Sequence, residues 1–464
     1  MAGIGWKLER IIERDTLGSS LGAMITGVAV TSGPWLLTTT LLVLMRISAV
    51  AAGLTTVTEA ERVITVVYAV VIVLSAPIDI VLTRFSADCV YEKRRDRIAA
   101  PLCRVLAFGI ITFAAVGAVA MVVCRAPLAL AIPGAILAAV VGAQWLLVSA
   151  AGGLSSPGII LRAFAVGAPV SLGVWALMTP MSLGPAAYLY GFGIGQVVTL
   201  GFLLWGTLRA LPAEEDDHAS MFSAARMYWV MAAAAFAFNA GLWTDKLGVL
   251  IQEGGNVASQ YAALAALAWL SVIPACAYLF VHVETNFHRK FHGFYQAIHD
   301  GAALHELEAR AGQLHREVTT TLRGTAAVQV TVTLICLAIA PMVVPWLGLT
   351  GTSSTTIIWL LLGAGLQVVA VSSTLLLYYF DFQREALVSA LTQLVTNTGF
   401  TLGLGALGVG LGAGYAAACA VTSVVSMFLL LQSMPGLLPR TFRSQVDLIE
   451  GGGGNQVAIA DASN

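Results

Sequence analysis

The sequence predicts an all-α polytopic membrane protein, with about 12 transmembrane helices in two pseudo-repeated six-helix bundles around a central cavity. Three observations predict it. The mean hydropathy is +0.85 and only 11% of the 464 residues are charged, where a soluble globular chain carries roughly 25%. The apolar residues come in runs of about 20, long enough to cross a bilayer as helix, and not in the short alternating segments of a transmembrane β-barrel. The two halves of the chain also repeat one another in motif order.

Residues 1–17 come first. Ile4, Leu8, Ile11 and Ile12 share one helical face, with Lys7, Glu9, Arg10, Glu13 and Arg14 elsewhere, the pattern of an amphipathic helix lying at the membrane interface. No secretory signal pattern precedes the first apolar run, because charges interrupt it. Twelve spans are then expected at 18–45, 63–83, 105–124, 128–150, 163–181, 186–208, 227–251, 258–282, 324–348, 355–380, 385–408 and 411–432. With an inside N-terminus, 20 of the 24 Lys and Arg fall on inside segments. The positive-inside rule therefore supports a multi-pass protein with both termini cytoplasmic.

The repeat divides this chain into a first bundle at 18–208, an acidic cytoplasmic linker at 209–226, a second bundle at 227–432 and a flexible tail at 433–464. The first span carries Gly33-Pro34-Trp35 and the seventh Gly241-Leu242-Trp243. The second carries Ser75 and Pro77, then Asp88 and Lys93-Arg94; the eighth carries Ser271 and Pro274, then Glu284 and Arg289-Lys290. An even number of spans per unit keeps both copies in one orientation, and such bundles can rock about a midline site. Inside the second bundle, the cytoplasmic segment 284–323 spaces Leu304, Leu307, Leu314 and Val318 as an amphipathic helix. This stripe either packs on the underside of its own chain or docks a partner subunit.

Charges and amides within apolar spans are the candidate site residues, since polar groups there are costly and commonly functional. Asp245 and Lys246 stand side by side in the seventh span, with Asn239 about one and a half turns deeper. Asp79 follows Pro77, whose missing N–H leaves a backbone carbonyl unpaired. Asp381 ends the tenth span among aromatics. Gln144, Gln367 and Asn397 either face a cavity or tie helices together; Gln196 and Gln393 are of the same kind. Lys246 as a headgroup anchor is the rival reading of the pair.

Other chemistry is not expected. The six cysteines form no CxxC pair. His288 and His292 are four apart but lack a third ligand, so no metal is expected. Gly191-x-Gly193-x-Gly195 follows no strand and reads as close helix packing. There is no GxxxxGK[ST] loop, no cofactor motif and no dense set of acids and histidines, so an enzyme is not expected. The net charge of −1 gives no reason to expect a nucleic-acid partner.

Several stretches resemble one family. They are Met1-Ala2-Gly3-Ile4-Gly5, Ser32-Gly33-Pro34-Trp35, Thr244-Asp245-Lys246, Leu270–Ala277 with Glu284-Thr285-Asn286-Phe287, and Tyr379-Phe380-Asp381 before Ala386-Leu387. In these the chain is similar to the inner-membrane transport protein of the Pel exopolysaccharide system, a member of the MOP flippase superfamily to which the MATE fold belongs. The resemblance implies alternating access between two six-helix bundles in a bacterial inner membrane. It implies a hexosamine-rich, partly deacetylated and hence cationic polysaccharide moved from cytoplasm to periplasm. It also implies partners: a cytoplasmic glycosyltransferase and membrane regulatory subunits. Alternatives are a drug/ion antiporter on the same fold, or a membrane scaffold whose segment 284–323 recruits a glycosyltransferase.

Overall fold

The computed structural model describes residues 33–54, 57–154, 157–181, 183–212, 221–346 and 354–442. The amphipathic segment expected at 1–17 and the tail beyond 442 lie outside them. The described residues are helical throughout, without a strand. In chain order the helices are α1 (Gly33–Ala51), α2 (Val57–Tyr91), α3 (Ala99–Val123), α4 (Leu128–Gly153), α5 (Pro157–Met178), α6 (Pro185–Arg209), α7 (Met221–Met227), α8 (Trp229–Glu253), α9 (Gly255–Leu270), α10 (Ile273–His282), α11 (His288–His299), α12 (Leu304–Trp346), α13 (Ser354–Tyr379), α14 (Gln383–Ala406) and α15 (Ala413–Ser433).

Among the described residues nine helices are long and apolar enough to cross a membrane, and two bent pairs bring the number to eleven. α14 is the twelfth. It misses that apolarity because Gln393, Asn397 and a run of threonines sit in it, and it buries the two amides against α8 and α15. A polar helix is stable in a bilayer when its polar groups face other helices.

Helix contacts repeat between the halves. In the first, α1 packs on α5, α5 on α6, α2 on α3 and α4, and α4 on α3 and α6. In the second, α8 packs on α14, α14 on α15, α9 and α10 on α13 and α12, and α13 on α12 and α15. The two halves thus share most of their internal wiring, and α2 of the first crosses to α8 and α9 of the second. Each half also has its own apolar core, around Phe113, Leu146 and Phe192 in the first and around Tyr261, Leu264 and Leu360 in the second.

Several expected boundaries move. The first span was placed at 18–45, and the described helix runs to Ala51. α2 reaches from Val57 to Tyr91, past 63–83 at both ends, because the flanking segments stay helical. The span expected at 258–282 breaks between Leu270 and Ile273 by 41°. Pro274, in the first turn of α10, supplies no N–H to the turn before it. A single π turn at Val283–Phe287 then leads into α11. The expected linker at 209–226 lies partly outside the described residues, and its end folds as α7, set at 75° to α8.

The segment 284–323 resolves into α11 and the first half of α12, one 43-residue helix that runs on into the span. Its apolar stripe faces its own protein. Leu307, Leu314 and Val318 are buried, the last two among Phe287, Phe294, Leu376 and Phe380. Lys290 and His282 both reach Glu317, pinning this layer to α12. These three side chains are therefore not a partner-docking surface; only Leu304 of the four candidates is exposed.

The central cavity and its ion pairs

A cavity of about 490 Å³ lies between the halves, bounded by α1, α2, α4, α5 and α6 on one side and α8, α9 and α10 on the other. Its lining runs from Arg46 and Glu61, near the α1–α2 turn, to Ile72, Val148 and Cys276, deeper in the bundle. Along α2 the wall residues Glu61, Thr65, Tyr68 and Ile72 follow at three- and four-residue spacing, one face of one helix. Indoles dominate the wall: Trp35, Trp145, Trp243 and Trp269, with Tyr68 and Phe164. Hydroxyls and amides stand between them, from Thr38, Thr39, Thr65, Gln144, Asn239 and Ser259.

The charges on this wall are paired. Arg46 Nη1 meets Glu61 Oε2 at 2.5 Å, joining α1 to α2. Lys246 Nζ lies 3.0 Å from Asp245 Oδ2, donates also to the Leu242 carbonyl (2.9 Å), and sits over the ring of Tyr415. Lys246 faces the cavity. Asp245 is fully buried behind it, accepting from Tyr261 Oη (2.9 Å) and, at 3.4 Å, from Asn397 Nδ2. A lone buried carboxylate would cost several kcal/mol, and three donors offset that cost. The pair belongs to the interior of the second half and is no headgroup anchor.

Of the candidate residues, Gln144, Asn239 and Lys246 are on the wall. Asn239 Nδ2 donates to the Ala235 carbonyl (2.9 Å), leaving its oxygen toward the cavity side chains. Gln144 Nε2 is held by the Gln196 carbonyl (2.6 Å). Asp79, Asp245, Asp381, Gln367 and Asn397 are not on the wall. Asn397 Nδ2 donates to the Gly241 carbonyl (2.7 Å) and ties α14 to α8. Gln367 Oε1 accepts from Cys419 (3.0 Å) between α13 and α15. Asp381 occupies the α13–α14 turn with φ +57° and accepts from Gln383 (2.9 Å); a short polar side chain tolerates that left-handed conformation. Three-dimensional neighbours place each amide at the cavity or between helices.

Residues not singled out from sequence include Arg46, Glu61, Tyr261, Trp145 and Trp269.

At the far end of the bundle the halves touch. Tyr228, the residue at the α7–α8 bend, donates its hydroxyl to Asp88 Oδ2 near the end of α2 (2.7 Å). Beyond the cavity floor, away from Arg46 and Glu61, the halves are thus bridged.

A family model named PelG, described as "Putative exopolysaccharide Exporter (EPS-E)", matches residues 1–442. The chain belongs to the PelG family. Solved structures agree on the fold. An inward-facing multidrug resistance MATE family transporter of the MOP superfamily superposes with TM-score 0.62 at 12% identity, covering 87% of this chain and 95% of that one. An outward-facing MATE structure of the same superfamily gives 0.60 at 14%, covering 89% and 96%. MATE in complex with MaL6 gives 0.60 at 14%, covering 89% and 97%. At these identities they show the fold of the PelG-family chain and nothing finer. No curated protein sequence matches it.

Proposed function

We propose that this chain carries a hexosamine-rich, partly deacetylated and hence cationic saccharide across the bacterial inner membrane, from cytoplasm to periplasm, by alternating exposure of the waist cavity. The observation that carries this reading is the cavity wall itself. Four indoles offer flat faces to sugar rings and attract ammonium groups, each such contact contributing on the order of 1 kcal/mol. Thr38, Thr65, Asn239 and Ser259 add hydrogen-bonding groups suited to hydroxyls and acetamides. No carboxylate on the wall is free of a cation partner, so a cationic chain would be held by aromatic faces and not by ion pairing. The 20 Lys and Arg on one side of the spans support cytoplasmic termini.

The chain would work beside the cytoplasmic glycosyltransferase that builds the polymer and membrane regulatory subunits of the same system. A scaffold reading loses its main support with the burial of Leu307, Leu314 and Val318. The test is Trp243→Ala combined with Trp269→Ala in cells lacking the wild-type chain. Secreted hexosamine polymer should fall about tenfold or more at equal membrane abundance, taking about 1 kcal/mol from each ring, while co-purification with partners is kept. Unchanged secretion would sink the assignment of this cavity to the saccharide.

A further inference from the structure

Past the cavity floor, the wall-lining face of α2 continues. Ile72 is its last residue on the cavity; Ser75 and Asp79 follow at the same three- and four-residue spacing. Asp79 therefore lies roughly 10 Å beyond Ile72 along the helix, on the bridged side of the molecule. Ser75 Oγ donates to Asp79 Oδ2 at 2.7 Å. The other oxygen, Oδ1, is shut off from solvent and has no hydrogen-bond partner. Beside the carboxyl stands Ser149 of α4, but its hydroxyl proton is committed to the Trp145 carbonyl at 3.0 Å.

Among the described residues no cation is bonded to this carboxyl. α4 contains no ionisable side chain. On α8 the charges are Asp245, Lys246 and Glu253, all toward its far end, and Tyr261 of α9 is bonded to Asp245. On α3, Arg104 in the first turns donates to the Ala100 carbonyl; on α6, Arg209 stacks over Trp205 and Tyr188 bonds to the Leu42 carbonyl; on α7, Arg226 stacks over Phe222. On α2 itself, Arg84 and Asp88 lie farther along, the latter on Tyr228. The groups acting on Asp79 are the hydroxyls of Ser75 and Ser149.

We infer that Asp79 is a proton-binding site, and that Ser149 passes its state to the cavity wall through Trp145. With a proton on Oδ1 every group has a partner: Oδ1–H donates to Ser149 Oγ, Ser149 donates to the Trp145 carbonyl, and Ser75 donates to Oδ2. Without it, Oδ1 faces the lone pairs of Ser149, and a carboxylate oxygen shut off from water and left unpaired is costly. When the proton leaves to water, the Ser149 hydroxyl turns from Trp145 to Oδ1. A serine bonded back to the carbonyl four residues earlier bends its helix slightly. Releasing that bond alters the turn of α4 that carries Gln144, Trp145 and Val148, all wall residues. Proton occupancy on one side of the floor is thereby linked to the shape of the cavity on the other. In its second half this inference rests on the saccharide reading of the cavity.

The test uses the full chain in lipid. Infrared spectra at neutral pH should show a carboxylic-acid C=O band that Asp79→Asn removes and Ser149→Ala keeps. Binding of a short N-acetylglucosamine oligomer should change by on the order of tenfold between pH 6 and pH 9 in the wild type, a coupling of ordinary size. In Asp79→Asn, and in Ser149→Ala, it should be independent of pH. An acid band that survives Asp79→Asn overturns the proton site. A pH dependence unchanged in Ser149→Ala overturns the link through Trp145. A band lost as expected, with no oligomer bound by any variant, upholds the proton site and overturns the saccharide reading instead.

Discussion

Lys246 and Asp245 show what one pair of residues can and cannot disclose. An acid next to a base in an apolar span was legible as a special site. Its surroundings were not, since Tyr261 is 16 and Asn397 152 positions away from Asp245, and no local pattern specifies such neighbours. The pairing predicts an asymmetric mutational response. Lys246→Ala leaves a carboxylate buried with only neutral donors, and removing one partner of a buried pair costs about 3–5 kcal/mol. Asp245→Asn combined with Lys246→Met removes both charges and keeps volume, so most of that loss should return. Thermal unfolding of the wild type and these two variants in detergent makes the comparison. If the double variant is as unstable as Lys246→Ala, the ion pair does not account for the stability of this site.

At the scale of elements, close approach decides which helices pair, and glycine marks the spots. A Cβ on Gly241 of α8 would lie 2.9 Å from the Leu394 nitrogen and 3.0 Å from Gln393 Cγ of α14, and backbone cannot yield as a flexible side-chain end can. Gly201 of α6, in contrast, has open space where a Cβ would be. Gly241→Val should therefore separate α8 from α14, break the Asn397–Gly241 bond and yield aggregated protein on size-exclusion chromatography. Gly201→Ala should elute as the wild type does; equal behaviour of the two would refute the packing argument. Helical periodicity made the spans and the 304–322 stripe legible, because burial on one side leaves a pattern in the sequence. It did not tell a stripe buried in its own chain from one awaiting a partner, as both need the same residues. The break at Ser271 and the continuous α12 were missed for a related reason. Hydropathy averages over about 20 residues, whereas one proline or one extra polar turn sets where a helix bends or ends.

For the whole molecule the question is what the bridge beyond the cavity floor does. The two halves meet along α2, α8 and α9, and beyond the floor Asp88 and Tyr228 bridge α2 to the α7–α8 bend. Tyr228 sits at the bend itself, so any motion of α8 relative to α7 carries its ring with it. A hydrogen bond in this setting contributes about 1 kcal/mol net, which corresponds to about a fivefold change in the ratio of bridged to unbridged states. Tyr228→Phe keeps the ring and removes the donor. In a cysteine-free chain carrying Thr83→Cys, on the bridged half of α2, the thiol should then react about fivefold faster with a membrane-impermeant maleimide applied at the Asp88 end. Asp88→Asn retains an acceptor for the phenol and should change the rate less. The same substitutions should leave a cysteine at Thr65, on the cavity wall, reacting no faster from the Arg46 end, because populating the unbridged state only draws molecules away from the one that exposes it. Faster reaction at both positions would mean that the bridge stabilises the bundle as a whole and does not select between its two openings.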